Sequence, residues 1–245
     1  MVPSDKYVSV MMFMLVVVLL FGVAGCAPVS DGGCNSLRAE MGTANAELNK
    51  LRAEIAIVKP ASLEELLRQR RSIRDYADAP LTQDEVMKLL WAGQGITRAW
   101  GGRTAPSAGA LYPLELYVVV GNVENLAPGV YRYDPRQNKL SLVKEGDVRN
   151  TLVLASLGQS SVADAAIDIV IAAVYKRTTV KYGSRGERYV HIEVGHAAQN
   201  ICLEATALDL GLVTIGAFED TAVAKIIGMS GEEVPLYVIP VGRIK

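Results

Sequence analysis

Cysteine and histidine are scarce in this chain, and so is any excess of charge. The three cysteines, Cys26, Cys34 and Cys202, lie at spacings that build neither a disulfide framework nor a zinc site, so no metal is expected. The two histidines, His191 and His196, are five apart in one helical segment and do not share a face. A zinc hydrolase or a Ser-His-Asp enzyme needs a better arrangement, and a helix-surface or core role fits both. The net charge of −1 carries no electrostatic footprint for nucleic acid. No G-x-G-x-x-G, G-x-x-x-x-G-K-[ST] or G-x-S-x-G string occurs, which disfavours a Rossmann dinucleotide site, a P-loop and an α/β-hydrolase. A phosphate-bearing cofactor held by side chains stays open.

The apolar content is concentrated at the N-terminus. Met11 to Phe21 is an unbroken apolar run, short for a spanning helix and well suited to a signal h-region. It ends in Val23-Ala24-Gly25-Cys26, which resembles the lipobox of prokaryotic lipoproteins. Residues 1–26 are therefore expected to be a lipoprotein-type signal segment with Cys26 lipidated; an uncleaved signal anchor is the competing reading. Both place the rest of the chain at a cell membrane, outside the cytoplasm. Residues 27–60 read as a linker and an amphipathic helix. Leu37, Met41, Ala44, Leu48, Leu51, Ile55 and Val58 alternate at four and three residues, the spacing of a coiled coil over three heptads. A coiled-coil stalk and a single amphipathic helix both satisfy that pattern.

Residues 61–245 read as one domain. Ser62 with Glu65, and Thr82 with Glu85, form capping boxes that start helices; the second is expected to reach Trp91, with a Gly-rich loop from Gly93 to Gly109. Leu116 to Val120 and Ala166 to Tyr175 read as buried strands. Val130 to Tyr133 and Leu140 to Val143 flank Asp134-Pro135 as a hairpin. Helices are expected at 149–157, 222–227 and, longest, 188–210 with Gly211 as its stop; short strands are expected at 212–215 and 236–241. Helices interleaved with an antiparallel hairpin argue for α+β, a mixed, mainly antiparallel sheet covered by helices.

Three strings carry candidate chemistry. Arg70, Arg71, Ser72 and Arg74 follow the first helix, and guanidinium groups fit phosphate oxygens in pairs. Taken alone, cations at a helix C-terminus also simply complement its dipole. Pro106-Ser107-Ala108-Gly109 precedes a buried strand, and a small-residue turn lets backbone amides approach a flat ligand. Ile215-Gly216-Ala217-Phe218 likewise closes a strand with small residues.

In this order and spacing the three strings resemble the nitroreductase superfamily, over about Ser62 to Arg243. Lys181-Tyr182-Gly183-Ser184-Arg185 and Gly195-His196-Ala197-Ala198-Gln199-Asn200 look like one branch of it, the SagB-type dehydrogenases related to azoline oxidases. The resemblance implies FMN buried at a homodimer interface. It implies that Arg70, Ser72 and Arg74, with Arg71 less securely, hold the phosphate and the pyrimidine edge. Pro106, Ser107, Ala108 and Gly109 would lie along the ring, and Gly216 and Ala217 would present backbone near N5, where hydride moves. Ala110 stands where many nitroreductases carry Asn, and the long basic C-terminal tail is missing, which leaves Arg243 and Lys245 for the phosphate. Lys181 and Tyr182 match the catalytic pair of azoline oxidases: a lysine desolvated beside a flavin can act as base, and the tyrosine can relay a proton or position substrate. Read without the resemblance, both are equally surface residues of a polar stretch.

The implied activity is an FMN-dependent oxidoreductase passing hydride between a small-molecule or peptide substrate and flavin. An NAD(P)H-dependent nitro or quinone reductase is the rival enzyme. A non-catalytic flavin-binding or scaffold lipoprotein is the rival of another class.

Overall fold

The computed structural model describes residues 61–245, together with Thr43 and Asn45. The chain divides into two compact units, residues 1–59 and 60–245. In the first, Thr43 and Asn45 are helical and exposed; the signal segment, Cys26, Cys34 and almost all of the heptad pattern lie outside the described residues. Among the described residues no helix is long and apolar enough to cross a membrane.

The second unit is α+β. Its helices are α1 (Leu63–Gln69), α2 (Gln83–Gln94), α3 (Arg149–Ala155), α4 (Ser161–Asp164), α5 (Lys176–Tyr182), α6 (Arg185–Ala207) and α7 (Asp220–Ile227). Its strands are β1 (Tyr76–Ala77), β2 (Leu114–Val120), β3 (Gly129–Asp134), β4 (Lys139–Glu145), β5 (Ile167–Ala173), β6 (Leu210–Leu212) and β7 (Val234–Ile244). They form one sheet in the order β1-β7-β5-β2-β3-β4, with β6 also on β7. Every named strand pair is antiparallel.

The two apolar runs become the centre of that sheet. Leu116 faces Ile171, Val118 faces Ile169 and Val120 faces Ile167. Side chains alternate across a strand, so each run feeds two cores. Leu116, Val118, Val120, Ile167, Ile169 and Ile171 pack with Leu89 and Leu90 of α2 and Val190, Val194 and Ile201 of α6. Tyr117, Val119, Val170 and Ala172 pack on the other face with Leu152 of α3 and Val223 and Ile227 of α7. Each fully buried Leu, Ile or Val contributes about 1.5–3 kcal/mol of apolar transfer, so the α2–α6 layer, the sheet and the α3–α7 layer hold each other in place.

Both capping boxes form, Ser62 with Glu65 and Thr82 with Glu85. The hairpin forms as β3–β4, with the Asp134 carboxylate accepting the Arg136 N–H at 2.7 Å. Several boundaries differ from the sequence reading: the strand expected at 212–215 is β6 at Leu210–Leu212, and the one expected at 236–241 is longer, Val234–Ile244. The second helix runs on to Gln94, because Gly93 is the contact with α6: a Cβ there would come within 3.0 Å of Ile201. The longest helix ends at Ala207, with Asp209 in the left-handed region at φ 54°. Gly211 is no helix stop; it lies in β6, where a Cβ would come 2.8 Å from Ile73. The polar stretch holding Lys181 and Tyr182 is a helix, α5.

Candidate active site

The arginine string leaves α1 at its C-terminus. Arg71 turns back to donate to the carbonyls of Arg68 and Arg70 at 2.6 and 2.8 Å, so it caps the helix. Ile73 faces inward against Gly211, and its N–H donates to the Leu212 carbonyl at 2.9 Å. That anchor leaves Ser72 and Arg74 exposed and Arg70 half-buried. Among the described residues no side-chain hydrogen bond or ion pair engages Arg70, Ser72 or Arg74, unlike Arg68, Arg132, Arg149, Arg177 and Arg243.

The Pro106–Gly109 string forms a tight turn with a 3-10 segment at Ala108–Ala110. Gly109, Ala110 and Tyr112 all take positive φ, at 65°, 54° and 46°. Such φ values are strained for Ala and Tyr. Two contacts hold the strain: the Tyr112 N–H donates to Ser107 Oγ at 2.9 Å, and the Arg103 guanidinium stacks 4.5 Å from the centre of the Tyr112 ring. A groove of about 640 Å³ borders the turn, lined by Ala110, Leu111, Tyr112, Arg103, Glu115 and Arg177.

The last turn of α5 brings Lys181 and Tyr182 to this same turn. A Cβ on Gly109 would lie 2.8 Å from Tyr182 Oη and 2.9 Å from Lys181 Nζ. Glycine suits the position by its φ, and the two polar tips lie where a side chain would begin. The Tyr182 ring is fixed edge-on to Tyr189 of α6, centroids 5.1 Å apart, and Lys181 Nζ lies 5.3 Å from the Tyr182 ring centre.

Beneath the turn lies a group that the motif reading missed. Glu193 of α6 is 2% exposed. Its burial pushes the carboxyl up to about 7, against the hydrogen bond from Ser107 and the charge of Arg103, which both pull it down. Oε1 has no partner; nor do Gln94 Nε2 and Arg103 Nε nearby, although Arg103 Nη1 donates to Gln94 Oε1. A signal existed: Glu193 stands three residues after Val190 and four before Ala197, on the apolar stripe of the longest helix.

Other expected ligands are placed elsewhere. Gly216 and Ala217 are exposed; Gly216 lies against the Tyr237 ring, and the Ala217 carbonyl accepts from Gln159 at 3.0 Å. Arg243, expected at the phosphate, is instead bound to Glu85 by two 2.8 Å bonds and donates to the Pro80 carbonyl. The carboxylate that caps α2 therefore neutralises it. His191 and His196 are exposed on α6, His191 hydrogen-bonded to the Tyr175 hydroxyl.

The model of the Nitroreductase family matches residues 67–243. The chain belongs to this family. A protein of Methanocaldococcus jannaschii named as a nitroreductase is 46% identical over 186 residues, 76% of this chain and 93% of that one. The microcin B17-processing protein of Escherichia coli is 30% identical over 142 residues, 56% of this chain; the match spans about half, 52%, of that relative's length. The structure of the Escherichia coli microcin synthetase complex with a truncated pro-microcin bound is similar at 26% identity and TM-score 0.63, over 69% of this chain and 67% of that chain.

In this member of the nitroreductase family, Glu193 sets a pH dependence of stability. A carboxyl whose value rises from 4.5 unfolded to about 7 folded stabilises the domain below the unfolded value, and that contribution is lost as pH rises through 7. At 1.36 kcal/mol per unit the loss is roughly 3 kcal/mol. Urea denaturation of the full chain at pH 5 and pH 8 should show this difference in the wild type and not in Glu193→Gln. Equal pH slopes in both would contradict it.

Proposed function

We propose that the chain is an FMN-dependent dehydrogenase of the SagB type, acting on a small molecule or peptide. The observation that carries this reading is the convergence of Lys181 Nζ, Tyr182 Oη and the strained turn on the space over Gly109. A flavin fits what is present: Arg70, Ser72 and Arg74 form a set of donors with no side-chain partner among the described residues, suited to a phosphate. FMN, when bound, would accept the electron pair and one hydrogen from a substrate C–H bond. The second hydrogen leaves as a proton, which Lys181 Nζ would receive. Tyr182, clamped by Tyr189, holds that amine in position and offers a hydroxyl to the substrate. The groove beside the turn gives the substrate its approach. The likeness to a processing protein, and to a complex holding a pro-microcin, supports a peptide in that groove.

The same reading includes a homodimer. Apolar surface is available for it: α1 buries none of its residues, and Leu63 and Leu67 are 63% and 53% exposed, with Trp91 of α2 and Ile192 of α6 also open. Such uncovered apolar side chains mark interaction surfaces. Sedimentation velocity on the flavin-loaded full chain should return a dimer, and Leu63→Asp/Leu67→Asp should release both the dimer and the flavin. A wild-type monomer with full flavin occupancy would refute the dimer.

A general base contributes typically 10²–10⁴-fold to rate. Lys181→Ala should slow flavin bleaching by a dehydrogenation substrate in stopped flow by about that factor, with flavin content and dithionite reduction unchanged. Tyr182→Phe should slow it less. Equal rates for wild type and Lys181→Ala would remove the lysine from the chemistry.

A further inference from the structure

The groove beside the turn is lined by four guanidinium groups, Arg103, Arg132, Arg136 and Arg177, against two carboxylates, Glu115 and Asp134. How each charge is engaged decides what the groove can take. Arg103 serves the turn, stacked on Tyr112 and donating to Gln94. Asp134 serves its own hairpin, accepting the Arg136 and Gln137 N–H groups at 2.7 and 3.3 Å. Glu115 lies between two arginines, with Oε1 2.5 Å from Arg177 and Oε2 2.9 Å from Arg132. Glu233 comes only to 3.7 Å from Arg132, and its oxygens accept from the Tyr117 hydroxyl at 3.0 Å and the Ser230 N–H at 2.7 Å. Arg136 is exposed, and its side chain has no hydrogen bond or ion pair among the described residues.

Three guanidinium groups on this wall thus share one close carboxylate. The Glu115 side chain is 12% exposed, whereas those of Arg132 and Arg177 are 45% and 38% exposed. The carboxylate fixes the pair from the buried side and leaves it open to the groove. A guanidinium has five N–H donors. Arg177 uses Nη2 on Glu115 and Nη1 on the Tyr112 carbonyl at 3.1 Å, and Arg132 uses only Nη2. The unused donors, with the whole of Arg136, match an anion that brings two acceptor oxygens.

The helix that carries Arg177 also carries the lysine at the turn. Arg177 and Lys181 are four residues apart on α5, so they share a face and stand about 6 Å apart along its axis. An extended peptide advances about 3.3 Å per residue. A carboxylate held at Arg177 therefore places a residue about two positions away beside Lys181.

We propose that Arg132, Arg136 and Arg177 form a carboxylate subsite, which selects peptides carrying an anionic group about two residues from the position that reacts. Glu115 is its positioning residue. The carboxylate is either an acidic side chain or the end of the peptide chain. This subsite deepens the peptide reading above and rests on it. Hydrogen bonds to charged groups are the strong ones, and losing them costs about tenfold or more in affinity.

Fluorescence anisotropy of three N-dansyl pentapeptides, titrated with the full chain in flavin-loaded and flavin-free form, tests the subsite. The first is Gly-Ser-Gly-Ser-Gly with a free C-terminus, the second its C-terminal amide, and the third that amide with Glu at the centre. At least one anionic peptide should bind about tenfold or more tighter than the neutral amide. Which of the two does so tells a chain terminus from an acidic side chain. Arg136→Gln loses no side-chain partner, so it should remove most of the preference with the unfolding midpoint and flavin content unchanged, and Arg136→Glu should reverse it. Arg132→Gln is the second variant and should also remove the preference. Equal binding of the three peptides, binding of none, or a preference that survives both Arg136→Glu and Arg132→Gln overturns the subsite. Peptides bound alike, with adenosine 2′,5′-bisphosphate bound and then lost in Arg136→Gln, would overturn it in favour of a phosphorylated nucleotide. A carboxylate preference in a chain that takes up no FMN would sink the flavin reading alone. Uptake of FMN with the three peptides bound alike would sink the subsite alone.

Discussion

Burial of β2 and β5 on both faces is the constraint on which the rest of the domain depends. Two strands with apolar side chains above and below cannot carry polar chemistry along their length, so it is displaced to their ends and to the helices laid across them. β2 begins directly after the strained turn, and β5 leads directly into α5. Because the strands are adjacent and antiparallel, with Leu114 facing Ala173, the start of one meets the end of the other. That register is what delivers Lys181 and Tyr182, more than seventy residues further along the chain, to Gly109. Two acidic residues interrupt the pair: Glu115 is bound to Arg132 and Arg177, whereas Asp168 is fully buried, neither oxygen has a partner, and burial holds its carboxyl well above the usual carboxylate range.

The turn itself is a balance of local strain and fixed contacts. Three left-handed residues within four are expensive for a chain of L-amino acids, and the cost is borne by a serine oxygen and an arginine stacked on a tyrosine. A surface loop of the same composition would relax. A turn held this firmly can present a surface of fixed shape to a rigid, planar ligand, which is what preorganisation requires. The rest of the candidate site differs in kind. The arginine string is anchored by Ile73 on β6, and the side chains of Arg70, Ser72 and Arg74 are left without partners among the described residues.

The parts legible in the sequence were those set by local rules. Capping boxes at Ser62 and Thr82, the Asp134-Pro135 hairpin and the two β-branched runs each follow from a few neighbouring residues, and each formed. The family could be read because three short strings kept their order and spacing, and the match over residues 67–243 agrees. What escaped depended on contacts between distant segments. Gly93 and Gly211 resemble breakers in sequence, yet each is small because another element passes close by, α6 in one case and the β1 approach in the other. Arg243 reads as a free cation until Glu85 is placed beside it. Glu193 reads as one more charge on a charged helix until its phase against Val190 and Ala197 is compared with the sheet beneath. The grouping of Lys181 with Gly109 required the β2–β5 register, which no local pattern encodes.

The central claim is that the arginine string and the strained turn together hold a flavin mononucleotide. Fluorescence quenching of FMN on titration with the refolded full chain tests it directly. The account predicts saturable binding of FMN in preference to riboflavin, because the phosphate is the group that Arg70, Ser72 and Arg74 serve. It further predicts that Arg70→Ala or Ser72→Ala weakens FMN binding while leaving the unfolding midpoint unchanged. Absence of saturable quenching by a folded chain, or FMN and riboflavin bound alike with no effect of Arg70→Ala, would contradict it.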